Sequence, residues 1–493
     1  MPAQLPRDIG GFTGREADLA WLSSMTVADP RPALAARICV VTGTAGVGKT
    51  ALAVCWGHRV SDRFPDGQLY LDLHGHGPAA PMRPIQALTR FLHALGVPHE
   101  RVPAEEAEAA GLYRTRLAGR RVLVLLDNAG TAEQVRPLLP ATSGCVAIVT
   151  SRDRLTGLVA RDGARRLDLG ALSSDEAVAL LAHTLGAAAV EEEPGAAREL
   201  VTLCGGLPLA LRIAAANLTD HRHGLGGYVR RFAGSGRLAS LAIEEDETSS
   251  VRVAFHYSYA ALPPEQRRIF RLLGLIPGPD TTRATTGALA GVGPDAVTHA
   301  LDGLAAAHLI EQPLAGRYRF HDLIRLFAIE RATEECAPAA RAAAVGRLFG
   351  YYLAGVDAAA RQAYPHVVRA EPAAGSAGAV EPSPRPEFGD EATAMAWLDA
   401  ELPNLLAAAR HAVQAGPSEV AWRLADALRG FFWIRRLLPE WLAVTEAGLT
   451  AATANGDPQA LAAMHLSFGL AYRSIADYPT ALPHLDQTVS LSR

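Results

Sequence analysis

Short apolar runs alternate with amphipathic stretches over the first third of the chain. The candidate strands lie at Ile38–Val41, Gln68–His74, Val122–Leu126, Cys145–Ser151 and Leu167–Leu169. Helical patterns at 82–96 and 105–118 separate several of them. An unbroken apolar run is typical of a strand that is covered on both faces of a parallel sheet. The pattern therefore predicts an α/β domain over residues 11–170, after a short extended lead-in at 1–10.

The pattern becomes helical from Ser173 onwards, which predicts a helical domain over residues 171–250. Residues 251–335 then combine helices near 263–275 and 294–307 with a short hairpin at 309–320. Helices followed by a small hairpin are typical of a winged-helix domain, and we predict one here.

The rest of the chain is predicted to be helical on both sides of one linker. Residues 336–369 form a helical connector, and the Pro-, Gly- and Ala-rich residues 370–392 form a flexible linker. Residues 393–493 are helical, and the spacing Phe468-Gly469-x-x-Tyr472 fits a tetratricopeptide repeat. Such repeats need neighbours to bury their faces, so the pattern predicts an array that continues beyond Arg493.

Residues 43–50 read Gly-x-x-x-x-Gly-Lys-Thr directly after the first apolar run, which is the phosphate-binding P-loop in its expected context. Glycines let backbone N–H groups curl around phosphates, and the helix that begins here adds its positive dipole end. A glycine-rich turn without a ligand is the alternative, but four fixed positions in eight argue against it. The predicted ADP or ATP contacts are Gly43, Thr44, Ala45, Gly46, Val47, Gly48, Lys49, Thr50 and Ala51.

Lys49 is the single lysine among 47 basic residues, all others being arginine. A compact ammonium fits inside a phosphate loop, whereas a planar guanidinium does not. This use of lysine supports a catalytic role for Lys49 at the β- and γ-phosphates.

Two further candidates end the next apolar runs. Asp127 closes Val122–Leu126, at the edge where ligands bind in open α/β sheets, so we predict that it binds Mg²⁺ together with the Thr50 hydroxyl. Arg152 follows the run that starts at Cys145, and its guanidinium suits a γ-phosphate. Taken alone, Asp127 could cap a turn and Arg152 could lie on the surface; beside the P-loop, catalytic roles are favoured.

Composition limits the function classes. The 493 residues predict three or four domains, and the net charge of −4 argues against coating nucleic acid or a membrane surface. Five scattered cysteines without paired spacing indicate reduced, buried thiols. No export signal or 18-residue apolar run is present, so we expect a cytoplasmic protein without a membrane partner.

Direct DNA binding through the winged helix is an alternative that the sequence disfavours. Residues 284–316 contain no Arg or Lys, whereas a helix that reads a DNA groove needs such side chains. The winged helix is better interpreted as an internal building block.

The order of these motifs resembles the NB-ARC class of signal-transduction ATPases with numerous domains (STAND), which includes plant disease-resistance proteins. In particular it resembles the actinobacterial AfsR-like and Streptomyces antibiotic regulatory proteins. The resemblance covers most of residues 11–335. It implies that Arg15 flanks the adenine, that Pro208 packs on it, and that His321 of His321-Asp322 contacts the ADP β-phosphate from the winged helix.

Two departures from that family bear on function. Many relatives carry a second acid after the Walker B aspartate, whereas this chain has Asn128, so hydrolysis should be slow. The antibiotic regulators also begin with a DNA-binding domain, for which residues 1–10 leave no room.

The resulting hypothesis is a switch in transcriptional regulation that ADP locks and ATP opens, with possible homo-oligomers in the ATP form. An unidentified signal or protein partner would act on the C-terminal helices. A turnover ATPase and a DNA-binding regulator are the alternatives.

Overall fold

The computed structural model describes residues 1–8, 10–25, 36–76, 80–219, 224–233, 238, 240–241, 250–370 and 386–492. Most of the predicted linker, residues 371–385, lies outside the described residues. The helix that follows begins at Glu391, one residue before the predicted end of that linker. Asp390 starts it because its carboxylate accepts a 2.8 Å hydrogen bond from the Thr393 N–H.

Five parallel strands form the central sheet. They are β1 (Arg37–Thr42), β2 (Gln68–Asp72), β3 (Leu123–Ala129), β4 (Val146–Ser151) and β5 (Arg165–Asp168). Their order across the sheet is β2-β3-β4-β1-β5. Val40, Leu125 and Ile148 on the three middle strands are fully buried, as the unbroken apolar runs predict.

The strand order determines which of the predicted site residues lie close together. Because all five strands run in parallel, the carboxyl ends of β1, β3 and β4 meet at one edge of the sheet. The phosphate loop, Asp127 and Arg152 all lie at or just after these ends. The predicted P-loop α/β fold is therefore confirmed, with β4 lying between β1 and β3.

Helices surround this sheet and continue after it. Through residue 260 they are α1 (Glu16–Ser24), α2 (Lys49–Arg59), α3 (Pro84–Ala94), α4 (Glu106–Leu117), α5 (Ala132–Val135), α6 (Thr156–Asp162), α7 (Ser174–Leu185), α8 (Ala187–Glu192), α9 (Pro194–Leu203), α10 (Pro208–Thr219), α11 (Gly224–Phe232) and α12 (Val251–Ala260). The lead-in also takes part in the fold, since the Gln68 N–H donates to the Pro2 carbonyl at 2.8 Å.

Residues 264–335 carry helices and a small sheet. The elements are α13 (Pro264–Leu273), β6 (Thr281–Thr282), α14 (Arg283–Ala290), α15 (Pro294–Ala306), β7 (Glu311–Leu314), β8 (Arg317–Arg319) and α16 (Asp322–Glu335). The small sheet has the order β6-β8-β7, and Gly316 makes the turn between β7 and β8 at a φ of 78°. These elements agree with the predicted helices and hairpin; a winged-helix domain remains an interpretation.

The described part of the C-terminal region, residues 336–370 and 386–492, is mainly helical, as predicted. It contains α17 (Pro338–Ala363), α18 (Glu391–Ala415), α19 (Glu419–Arg435), α20 (Leu438–Asn455), α21 (Pro458–Ser474) and α22 (Tyr478–Leu491), and each of the last five packs against the next. No helix among the described residues is long and apolar enough to cross a membrane.

The chain divides into two compact units. The first contains residues 1–267, 302–311 and 321–327, and the second contains 268–301, 312–320 and 328–493. Every residue of the nucleotide-binding prediction, His321 included, belongs to the first unit.

Candidate nucleotide-binding site

The phosphate loop links β1 to α2 through three glycines in the left-handed region. Gly43, Gly46 and Gly48 have φ values of 149°, 79° and 96°. At Gly43 the space is also closed, because a Cβ would lie 2.5 Å from the Leu169 carbonyl oxygen. These positions require glycine, and their geometry turns the chain directly into the N-terminus of α2.

Lys49 is half-buried under this loop. Its Nζ donates hydrogen bonds of 2.8 Å to the carbonyl oxygens of Gly43 and Thr44. Burial, and then the nearby charge of Arg152, lower the pKa of the Lys49 ammonium to about 7. An anion that binds in the loop would favour the charged form of Lys49, so the site is electrostatically suited to phosphate.

Asp127 and Thr50 form a ready pair of oxygen ligands. The Thr50 hydroxyl donates to Asp127 Oδ1 at 2.8 Å, and Tyr70 donates to Oδ2 at 3.2 Å. Thr150 makes a third, short hydrogen bond to the same carboxylate. Asp127 is only 6% exposed, and burial raises its pKa although these hydroxyl donors oppose the shift. A hydroxyl and a carboxylate are the hard oxygen donors that Mg²⁺ prefers, so the pair fits that ion.

Asn128, the residue after Asp127, cannot act as a general base. Asn128 adopts a φ of 54°, and its amide nitrogen donates to the His76 carbonyl at 3.0 Å. The amide lines the cavity but cannot accept a proton from an attacking water.

Arg152 lies at the carboxyl edge of β4 and is hydrogen-bonded to α12. Its Nη1 donates to the Ala254 carbonyl at 2.7 Å and to the Ser258 hydroxyl at 3.2 Å. Burial lowers the pKa of this guanidinium. Arg152 therefore borders both the cavity and a helix that lies a hundred residues further along the chain.

These groups surround one cavity of about 420 Å³. The predicted residues that line it are Arg15, Ala45, Gly46, Val47, Gly48, Lys49, Thr50, Ala51, Asp127, Arg152 and Pro208. Gly43 and Thr44 are not among its lining residues but hold Lys49 through their carbonyls. Its apolar part contains Phe12, Leu172, Leu180 and Leu209, a surface on which a purine base could pack.

Arg15 and Pro208 lie next to the phosphate loop and line the cavity. Arg15 donates from Nη2 to the Gly170 carbonyl at 2.5 Å, and its own N–H donates to Glu176 at 2.7 Å. Pro208 begins α10, and the next N–H, that of Leu209, donates to the Gly46 carbonyl at 3.2 Å. Both residues lie where an adenine-flanking role is possible, and that role remains a prediction.

His321 contacts the turn before α10 and does not line the cavity. Its Nε2 is 2.6 Å from the Gly205 carbonyl oxygen, and the Leu323 N–H lies 3.4 Å from Nδ1. These partners fit a neutral ring that carries its proton on Nε2. Gly205 has a φ of 61°, and a Cβ there would collide with the imidazole.

Several lining residues were not identified from the sequence. Arg212 lies four residues after Pro208 on α10, a spacing that could have indicated it, since such residues share a helix face. Tyr70 and Thr150 contact Asp127 from β2 and β4. The alternation of apolar and polar residues within one strand does not indicate these contacts, because they depend on which strands are neighbours in the sheet.

The chain is similar in sequence to known regulatory proteins. No protein-family model matches the chain. The regulatory protein AfsR of Streptomyces coelicolor is 41% identical over 428 residues, which cover 83% of this chain and 41% of that protein. AfsR of Streptomyces griseus is 40% identical, with 87% of this chain and 42% of that protein covered. The chain thus spans about two fifths of the length of these relatives.

Among solved structures, a STAND protein with a tetratricopeptide repeat sensor from Pyrococcus horikoshii aligns with 99% of this chain and 72% of its own. The sequence identity is 16% and the TM-score is 0.32.

Proposed function

We propose that this chain, a homologue of the AfsR regulatory proteins over 83–87% of its length, is a regulatory switch controlled by ADP and ATP. The observation that carries the proposal is the cavity in which the phosphate loop, Lys49 and the Thr50–Asp127 pair meet. Phosphate would replace the two carbonyl oxygens that now hold Lys49. Backbone N–H groups and the start of α2 would bind the remaining phosphate oxygens.

Thr50 and Asp127 would hold the Mg²⁺ that accompanies the nucleotide. When bound, this ion neutralises phosphate charge and lowers the cost of leaving Asp127 ionised in its buried position. Thr150 and Tyr70 orient the carboxylate through their hydrogen bonds.

Slow hydrolysis fits a switch better than a motor. Asn128 stands where many relatives carry a second acid, and its amide already donates to the His76 carbonyl. With no proton acceptor at this position, the bound nucleotide would persist long enough to define a state.

We propose that ADP is the resting ligand and that His321 and Arg152 distinguish the two states. His321 holds the turn that leads into Pro208, which favours a closed site around ADP. A γ-phosphate would compete with α12 for the guanidinium of Arg152. This difference in contacts is what allows ATP to shift the equilibrium.

The remaining assignments extend the same proposal. The regulated process would be transcription, in the cytoplasm, with nucleotide-dependent homo-oligomers as the active form. The C-terminal helices, α18 to α22, would receive the signal. Direct DNA binding by this chain is not part of the proposal.

Lys49→Ala tests nucleotide binding directly. The variant should bind MgADP and MgATP at least about tenfold more weakly, because it loses charge-assisted contacts with the phosphates. Isothermal titration calorimetry measures both affinities.

Arg59→Ala is the matched control, since Arg59 is an exposed cation at the other end of α2. Its affinities should equal those of the unmodified protein. Equal affinities of Lys49→Ala and the unmodified protein would contradict the proposed site.

A further inference from the structure

Asp72, the last residue of β2, is a carboxylate of the candidate site to which the switch assigns no role. It lines the cavity together with Asp127 and Asn128. In the sheet it pairs with Asp127, so the two carboxylates end neighbouring strands at the same level. Tyr70, two residues earlier on β2, donates to Asp127 at 3.2 Å. Because residues two apart share one face of a strand, Asp72 lies on the same face of β2 as this contact.

The chain segments that leave β2 and β3 are joined by backbone hydrogen bonds. The Leu73 N–H donates to the Asp127 carbonyl at 2.9 Å, and the Gly75 N–H donates to the Asn128 carbonyl at 2.7 Å. The two segments are in direct contact at Gly75, since a Cβ there would lie 2.1 Å from the backbone nitrogen of Gly130. These contacts hold the end of β2 against the end of β3.

Asn128 is turned towards the Asp72 carboxylate. Its φ of 54° lies in the left-handed region, in which asparagine is enriched. Its Nδ2 donates to the His76 carbonyl at 3.0 Å and lies 3.4 Å from Asp72 Oδ1. The N–H and the Nδ1 of His74 also face Oδ1, at 2.7 Å and 3.3 Å. All donors that the described residues offer to this carboxylate thus act on Oδ1, and Oδ2 is available to a water.

We propose that Asp72 takes the role of the second acid that this chain lacks at position 128, and that its Oδ2 accepts a proton from the water that attacks the γ-phosphate of ATP. The inference rests on the proposed function, because it needs ATP in the phosphate loop. Asn128 is then a positioning residue, since its amide faces Asp72 Oδ1 and helps to orient the carboxylate. The acid reaches the cavity from β2 instead of following Asp127 on β3.

The reaction that Asp72 would assist is phosphoryl transfer to water. The water oxygen forms a bond with the γ-phosphorus, and the bond from this phosphorus to the β,γ-bridging oxygen breaks. The electron pair of that bond stays on the β-phosphate of ADP. The proton of the water passes to Asp72 and then to the released phosphate. An acid at the end of β2 would thus let the switch return by itself from the ATP state to the ADP state.

Asp72→Asn tests the assignment, because the amide keeps the size of the side chain but cannot accept the proton. With the whole chain in excess over MgATP, a single turnover should be at least about a hundredfold slower than in the unmodified protein, since a general base contributes about 10²- to 10⁴-fold. Calorimetry should give unchanged affinities for MgATP and MgADP, which also shows that the variant is folded. Asp72→Glu keeps a carboxylate and should recover part of the rate.

A measurement without turnover separates a role at the water from a role in nucleotide binding. MgADP with beryllium fluoride imitates bound ATP, whereas MgADP with aluminium fluoride imitates the transferring phosphate and its attacking water. Asp72→Asn should bind the aluminium fluoride complex about tenfold more weakly, because it loses a charge-assisted hydrogen bond to that water. Its affinity for the beryllium fluoride complex should be unchanged. Asn128→Ala should shift the aluminium fluoride complex in the same direction but by less.

Asp62→Asn is the matched control, since Asp62 is an exposed aspartate that follows α2 and does not line the cavity. Its turnover rate and its affinities for both fluoride complexes should equal those of the unmodified protein.

The outcomes separate this inference from the proposed function. Equal turnover, or equal aluminium fluoride binding, in Asp72→Asn and the unmodified protein overturns the inference alone. An equal loss of MgADP and MgATP affinity in Asp72→Asn does so too, because Asp72 would then hold the nucleotide and not the water. An unmodified protein that binds MgATP without hydrolysing it also overturns the inference and leaves the switch standing. Failure of the unmodified protein to bind either nucleotide overturns the proposed function and the inference with it.

Discussion

At the scale of single residues, the lone lysine of the chain is the clearest case of sequence and structure in agreement. An ammonium can occupy the small space under the loop, where Lys49 meets the carbonyls of Gly43 and Thr44. The carboxylate of Asp127 is held in place by hydrogen bonds from the hydroxyl groups of Thr50 and Thr150. These few side chains concentrate phosphate and metal chemistry in one cavity.

His321→Ala should release ADP faster. The substitution removes the donor to the Gly205 carbonyl and so loosens the turn before Pro208. A single neutral hydrogen bond contributes about 1 kcal/mol, which corresponds to dissociation about fivefold faster. Stopped-flow displacement of a fluorescent ADP analogue measures this rate.

His366→Ala serves as the control because His366 is an exposed histidine in the second unit. It should leave the rate of ADP release unchanged. A His321→Ala variant that releases ADP at the original rate would exclude a locking role for His321.

At the scale of secondary-structure elements, α12 is connected to the candidate nucleotide site through the side chain of Arg152. Arg152 donates to its Ala254 carbonyl and to its Ser258 hydroxyl. A guanidinium that turns towards a γ-phosphate gives up these contacts, so the helix would lose part of its anchorage. The proposed switch would therefore couple ATP binding to α12 through this one side chain.

MgATP should therefore increase hydrogen exchange in residues 251–260, whereas MgADP should not. Arg152→Ala should raise exchange there without any nucleotide, because both contacts to Ala254 and Ser258 are lost. Exchange detected by mass spectrometry after brief labelling resolves this peptide. Arg161→Ala, which removes an exposed arginine on α6, is the control.

If MgATP and MgADP both bind and protect residues 251–260 equally, the coupling through Arg152 is absent. A weaker effect in Ser258→Ala than in Arg152→Ala would support it, since the serine variant loses one of the two contacts.

Local sequence predicted the elements well but not how they come together. Helix and strand positions follow from apolar spacing, and α3 and α15 begin and end within two residues of the predicted ranges. The insertion of β4 between β1 and β3 could not be read from the chain, since any order of buried parallel strands has the same apolar pattern. The contact between Arg152 and α12 joins positions about a hundred residues apart, so local sequence patterns do not indicate it either.

The site shows the same division. Residues 45–51 of the loop line the cavity, because the motif itself specifies their backbone geometry. His321 was expected at a phosphate, but it lies against Gly205 and outside the cavity lining.

At the scale of the whole molecule, nucleotide chemistry and helical packing occupy separate units. The first unit contains the sheet and the complete cavity, and the second contains α17 to α22. The second unit has its own polar anchor, in which Arg317 binds Asp280 at 2.6 Å and Glu401 at 2.8 Å. Each unit thus has internal contacts of its own, which the proposed switch could keep when the bound nucleotide changes.

The central claim is that ADP holds this chain at rest. The most direct measurement is to purify the protein without added nucleotide, denature it and identify by chromatography what it releases. The account predicts one ADP for each chain. Release of ATP, or of no nucleotide, would contradict an ADP-locked resting state.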